Sequence, residues 1–283
     1  MILLRLLFIL AALTAVSLQT QAGGGSTEVS AGAVAPPTTI LDDDVALAAD
    51  SAKPGTADPS ADDGTGRVAE PMPLKLPAPY EASYSASYNG LAIKNKRSLS
   101  TTANGYLLTT KAENFLGTIS EEEHLEIDSS GNIIPQQYHY KRSIFGVKRT
   151  ESTAFNRQKG IVTNTYKDRT VELALEKSLL TPLSYQLQMR QDLLQGKSDF
   201  QYRVVSRNGI KDYHYRVIDA EILDTPLGKL DTLIIKRIRD SNKRETYLWL
   251  AKSLDYLPVK LTHKEDGETH EMLIKSYKDL SVP

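Results

Sequence analysis

The chain has no cysteine, which excludes disulfides, thiol nucleophiles, thiolate metal sites and a lipidated cysteine. Tryptophan occurs once, methionine four times and phenylalanine five times, against 14 tyrosines, so aromatic burial must rest mainly on a side chain whose hydroxyl needs a partner once it leaves water. Histidine is scarce at five residues. No Gly-x-Ser-x-Gly elbow, phosphate loop, dinucleotide glycine fingerprint or His-Glu-x-x-His helix occurs. The chain is therefore expected not to be an enzyme and to carry no cofactor, the alternative being a hydrolase built from dispersed residues.

Long apolar runs are also lacking. The longest, residues 6–16, follows Arg5 and ends at Ser17, Gln19 and Thr20, well short of the roughly 20 residues that cross a bilayer. With the small-x-small site Thr20-Gln21-Ala22 it reads as a cleaved signal peptide over residues 1–22. Residues 23–75 are dominated by Gly, Ala, Ser, Thr, Pro and Asp and contain no aromatic residue, the composition of a disordered acidic linker. They hold nine acids and three bases, whereas residues 76–283 hold 26 acids and 30 bases. That mild excess falls short of a nucleic-acid interface. A periplasmic location, with no transmembrane span in the mature chain, is the expectation.

Residues 76–283 are long enough for a single core. Tyr80, Ala82, Tyr84, Ala86 and Tyr88 alternate with polar residues at the period of a half-buried strand. Asn89-Gly90, Asn104-Gly105, Asn208-Gly209 and Asp266-Gly267 suit type I′ hairpin turns. Further strand-like runs follow to residue 277, so the expected fold is mainly β: an antiparallel curved sheet or half-barrel of about 10–12 strands. Thr181-Pro182, a shared face of Leu183, Leu187 and Leu194, and Gly196 predict one packed α-helix over residues 182–194. A helix against a curved sheet either frames a pocket or fills it.

Thr225-Pro226-Leu227-Gly228-Lys229-Leu230-Asp231-Thr232, Tyr247-Leu248-Trp249-Leu250-Ala251 and Leu254-Asp255-Tyr256-Leu257-Pro258-Val259-Lys260 form an ordered series of short motifs. By them the chain resembles the DUF3108 family of exported bacterial proteins of unknown function, over roughly residues 80–280. Lys252 stands where the family often has proline. The resemblance implies a β-rich, envelope-associated protein and supplies no catalytic residues. The architecture it implies is similar to that of periplasmic lipoprotein carriers of the LolA and LolB kind, an analogy of fold that does not establish function.

Candidate ligand-lining residues are Tyr84, Leu183, Leu187 and Trp249, the last also readable as a core anchor. Lys236, Arg237, Arg239, Lys243 and Arg244 gather about one turn and suit contact with the phosphates of envelope lipid or lipopolysaccharide. The other reading is that they guard a hairpin end against edge pairing. A second basic group, Lys141, Arg142, Lys148 and Arg149, surrounds Gly146. His263 and His270 fall opposite each other across Asp266-Gly267, which makes them weak metal candidates, short of the three or four ligands zinc takes. Glu121-Glu122-Glu123-His124 reads as a solvated edge. Two functional readings follow: a non-enzymatic binder or carrier of an apolar envelope ligand such as lipid, or a protein-interaction module in envelope assembly.

Overall fold

The computed structural model describes residues 74–88 and 91–281. The expected signal peptide, nearly all of the expected linker and the Asn89-Gly90 turn lie outside these residues.

Eight strands form the first half of the sheet: β1 (Tyr80–Tyr88), β2 (Leu91–Thr102), β3 (Gly105–Asn114), β4 (Gly117–Ile127), β5 (Ile133–Ile144), β6 (Val147–Asn156), β7 (Ile161–Tyr166) and β8 (Arg169–Ala174). A two-residue strand β9 (Leu179–Leu180) leads into the helix α1 (Ser184–Leu194). The second half is β10 (Asp199–Val205), β11 (Ile210–Thr225), β12 (Gly228–Ile238), β13 (Arg244–Ala251), β14 (Leu257–Glu265) and β15 (Glu268–Asp279). Together they make one 15-stranded sheet in the order β8 to β1, then β15 to β9. Each pairing is antiparallel except that of β9 with β10. The count exceeds the expected 10–12, in part because β2 and β9 carry no strong strand signal of their own.

Alternation assigns the two faces. Tyr80, Ala82, Tyr84 and Ala86 of β1 point inward with Leu99 of β2, Leu108 of β3, Leu125 of β4, Leu248 of β13 and Leu261 of β14. The helix lies against this inner face, buried on every side from Ser184 to Leu193. Its regular turns begin two residues later than predicted, and ahead of them the Thr181 hydroxyl accepts the N–H groups of Leu183 and Ser184 at 3.2 Å each, as the predicted cap would. The expected leucine stripe is no stripe, since Gln186, Gln188, Arg190, Gln191 and Asp192 are buried as well. The wall supplies partners for most of them. Arg97 donates to Gln186 at 2.5 Å, Arg190 donates to the Asp255 carbonyl at 2.8 Å, and Asp192 accepts from the Tyr202 hydroxyl at 2.8 Å.

The two sheet edges do not pair as a ladder; side chains close the seam. Phe155, Val162, Leu179 and Val205 form a small apolar cluster across it. The β10–β11 turn is latched to β6 and β7, the Arg207 N–H donating to Glu151 at 2.7 Å and the Asn208 N–H to Asn164 Oδ1 at 2.7 Å.

Of the predicted turns, Asp266-Gly267 has φ values of 51° and 86°, as type I′ requires. The Asn104 turn sits one residue early, with Thr102 opposite Gly105, and Asn208-Gly209 lies in a wider turn between Val205 and Ile210. Phe145-Gly146, at φ 47° and 77°, is a hairpin turn with no sequence signal, since phenylalanine occupies a place that favours Asn or Gly.

Candidate functional site

Tyr84, Leu183 and Leu187 come together inside the sheet, and the space between them is filled. Both leucines are fully buried, and the Tyr84 hydroxyl donates to the Pro258 carbonyl at 3.0 Å. Trp249 is on the opposite, outer face, where Lys260 lies 4.8 Å above its ring and its indole N–H donates to Glu221. The parity of β13 dictates this, because Leu248 and Leu250 take the inner positions on either side. The four residues expected to line one ligand site therefore do not share one.

A different site forms where β10, β11, β12 and β13 meet the turn that follows β12. A cleft of about 770–790 Å³ occurs at each end of the curved sheet, and the two differ in charge. The one at the end away from this turn mixes Asp128, Glu176 and Asp192 with Arg157, Lys177 and Lys197, so its signs offset. The other, of about 790 Å³, is lined by Tyr202, Arg203, Tyr213, Arg237, Arg239 and Arg244, with Asp212 and Asp240 among its other walls.

The inner face of β11 supplies a tyrosine floor. Arg237 is held over it, its guanidinium carbon 4.0 Å from the Tyr213 ring centroid and 5.7 Å from that of Tyr215. Tyr185 of the helix stacks against Tyr215 at 5.7 Å and meets Tyr213 edge-on at 5.2 Å, which fixes the floor. Arg237 Nη1 is buried without a hydrogen-bond partner among the described residues. Arg239 donates to the Thr246 hydroxyl at 3.1 Å, and burial, reinforced by Arg237, pulls its pKa down to about 10. Neither Arg237 nor Arg239 has a carboxylate partner among the described residues. Arg203 does, pairing with Glu176 and, at 3.5 Å, with Asp212, and Arg244 lies 3.9 Å from Glu265.

The cationic lining continues around this end. Arg207 lies 5.5 Å over Tyr166, burial and Arg207 lower Lys211 to about 8, and Arg142 Nε is buried without a partner among the described residues. Gathering like charges out of water costs free energy that an incoming anion would offset. Three of the five sequence candidates, Arg237, Arg239 and Arg244, thus share the cleft. Lys236 points to the outer face, 3.6 Å from Glu245 and over Tyr247, and Lys243 is exposed on the turn.

His263 and His270 face each other as predicted, and both are buried. His263 Nδ1 sits 2.9 Å from the Thr246 hydroxyl, and burial together with Arg239 lowers its pKa to about 4, so the ring is neutral at pH 7. Among the described residues no group of three or more His, Asp or Glu is placed to hold a metal ion.

The acidic run on β4 corrects the expectation of a solvated edge. Glu122 and His124 are exposed, but alternation turns Glu121 and Glu123 inward, where both are buried. The Tyr138 hydroxyl donates to Glu121 at 2.7 Å and the Thr181 hydroxyl to Glu123 at 2.5 Å. Burial, only partly offset by these bonds, raises Glu121 to about 7 and Glu123 to about 8. A strand period of two applied to Glu-Glu-Glu would have revealed the inward pair.

Residues 83–273 match the family described as "Protein of unknown function (DUF3108)". Comparison with curated proteins gives no match. Among solved structures, one described as a beta-barrel-like protein of domain of unknown function DUF1849 from Brucella abortus has the same fold, with a TM-score of 0.50 at 10% identity over 72% of this chain and 99% of that one. The matched span contains the three motif blocks, the helix and the whole cationic cleft, and the chain belongs to the DUF3108 family.

Proposed function

We propose that this chain is an exported, non-enzymatic binding protein of the periplasm whose cationic cleft takes a phosphate-bearing headgroup. The observation that carries the reading is Arg237, held over Tyr213 and Tyr215 with a buried, unpartnered Nη1 beside the equally unneutralised Arg239. A phosphate entering the cleft lined by Arg237 and Arg239 would gain charge-assisted bonds, which are about twice as strong as neutral ones. The headgroup, and not an acyl chain, is the recognised part, because Leu183 and Leu187 fill the interior that a carrier would leave open for lipid tails.

The test is thermal unfolding of the full chain with and without inorganic phosphate or a short-chain phosphatidylglycerol, for the wild type and R237Q/R239Q. At 100 times the dissociation constant a ligand adds about 2.7 kcal/mol of stability. An upward shift of the midpoint in the wild type that is lost in the variant supports the reading. No shift with either probe, or equal shifts in both proteins, overturns it. A shift with phosphatidylglycerol alone assigns the site to lipid, and one with both assigns it to the phosphate group.

The filled interior also favours the second reading, a protein-interaction module in envelope assembly, since that role needs no pocket. Crosslinking in the periplasm would then give one discrete partner band.

A further inference from the structure

We infer that the end of the sheet bearing the β3–β4 and β5–β6 turns docks on an anionic phospholipid bilayer, with Phe115, Phe145 and Val147 entering the headgroup layer. The reading stands apart from the cleft, because none of these three residues lines it.

The residue choice is the starting point. Four phenylalanines occur among the described residues, and two of them face water, Phe115 at 81% and Phe145 at 56% exposure, joined by Val147 at 56%. Phe145 is also the wrong residue for its backbone, since at φ 47° a bulky side chain is disfavoured where Asn or Gly would fit. It serves neither the core nor the turn. The two turns are fixed side by side. The Phe145 N–H donates to the Leu116 carbonyl at 3.1 Å, Gly117 lies opposite Ile144, and a Cβ on Gly117 would fall 2.1 Å from the Ser143 carbonyl oxygen. The apolar side chains are thus presented together.

The charge beside them selects the occupant. Lys141 and Lys148 are exposed, Arg149 is half-buried, and none of the three has an ion pair among the described residues. At the neighbouring β7–β8 turn exposed Lys167 and Arg169 lie on either side of exposed Asp168, a net single positive charge. Lysine and arginine next to shallow apolar anchors suit an anionic membrane surface, to which each basic residue near it adds attraction. Three anchors on two turns fall far short of the roughly 20 residues a side in a standard protein interface. Antiparallel pairing places the β12–β13 turn, at the mouth of the cationic cleft, at this same end of the sheet, so a docked molecule would present that mouth to the headgroups.

The test is vesicle flotation of the full chain and its F115S/F145N variant with phosphatidylcholine alone and with 30% phosphatidylglycerol. Both proteins keep the apolar segment of residues 6–16, so the difference between them reports on the turns. Asn suits the left-handed position, so the variant should keep its thermal midpoint. The expected result is partitioning to the anionic vesicles at least about tenfold weaker in the variant, with wild-type binding weakened by 0.5 M salt. Equal partitioning of the two proteins, or no preference of the wild type for anionic vesicles, overturns the proposal and leaves the cleft untouched. Conversely, R237Q/R239Q should lose its response to soluble phosphate and still float.

Discussion

Replacing Glu123 by Gln should remove part of the pH dependence of stability. The Glu123 carboxyl is fully buried, accepts from Thr181, and has one oxygen, Oε1, without a partner among the described residues. Burial raises its pKa from 4.5 to about 8. Between those values the native state holds a proton that the unfolded chain has released, so stability is fully present below about pH 4.5 and is lost as pH rises toward about 8. At 1.36 kcal/mol per pH unit the loss has a ceiling of about 5 kcal/mol, and the effective interior dielectric of about 20 reduces the expected value to about 2 kcal/mol. Glutamine is neutral throughout and can keep the bond from Thr181, while its amide nitrogen adds a constant offset independent of pH. In urea titrations at pH 5, 7 and 8.5, E123Q should gain on the wild type by about 2 kcal/mol across the series. A shallower decline remains in the variant, because Glu121, raised by burial to about 7, acts in the same direction. Parallel stability curves for the two proteins would refute the assignment of a buried proton to Glu123.

Gly117→Ala should cost about 2 kcal/mol or more, because its Cβ would meet the Ser143 carbonyl oxygen at 2.1 Å, while Gly160→Ala, with open space around it and φ +65°, should cost only about 1 kcal/mol of backbone strain; thermal midpoints measured side by side decide this. Leu187→Ala removes a fully buried side chain from the helix and should lower stability by roughly 2–5 kcal/mol in denaturant titration. Asn164→Ala cuts its bonds to Asn208, Thr153 and Glu151, so the Asn208 amide should exchange with solvent faster and stability should fall by about 1–3 kcal/mol.

The period-two runs were the most legible part of the sequence. Tyr80, Ala82, Tyr84 and Ala86 were placed on the inner face by alternation alone, and that face is the one that packs on the helix. The His263–His270 register followed from counting outward from Asp266-Gly267, because a two-residue type I′ turn leaves no freedom. What failed was depth. The Glu121–His124 run was read as a solvated edge and the turn arginines as surface groups, yet a curved sheet of 15 strands encloses its inner face even near its ends, and so buries Glu121 and Glu123 and half-buries Arg237. Trp249 was misplaced because Tyr247-Leu248-Trp249-Leu250 is apolar at every position and carries no parity signal. The cleft was half visible: Arg237, Arg239 and Arg244 stood out as a cluster, but their floor comes from Tyr213 and Tyr215, joined only through the β11–β12 register that sets Tyr215 opposite Arg237.

The central seam of the sheet joins β1 to β15, Tyr80 opposite Asp279, and the Leu280 N–H to the Pro79 carbonyl at 3.0 Å. In time, this makes the first strand wait for the last. Each half can form from sequence-local hairpins, but their union closes a loop of some 200 residues, whose entropy must be met before any of its contacts reward it. A chain cut short before residue 268 would leave β1 and β14 as two bare edges in the middle of the molecule, both open to pairing with other chains. Premature termination should therefore yield aggregation in place of a smaller folded protein.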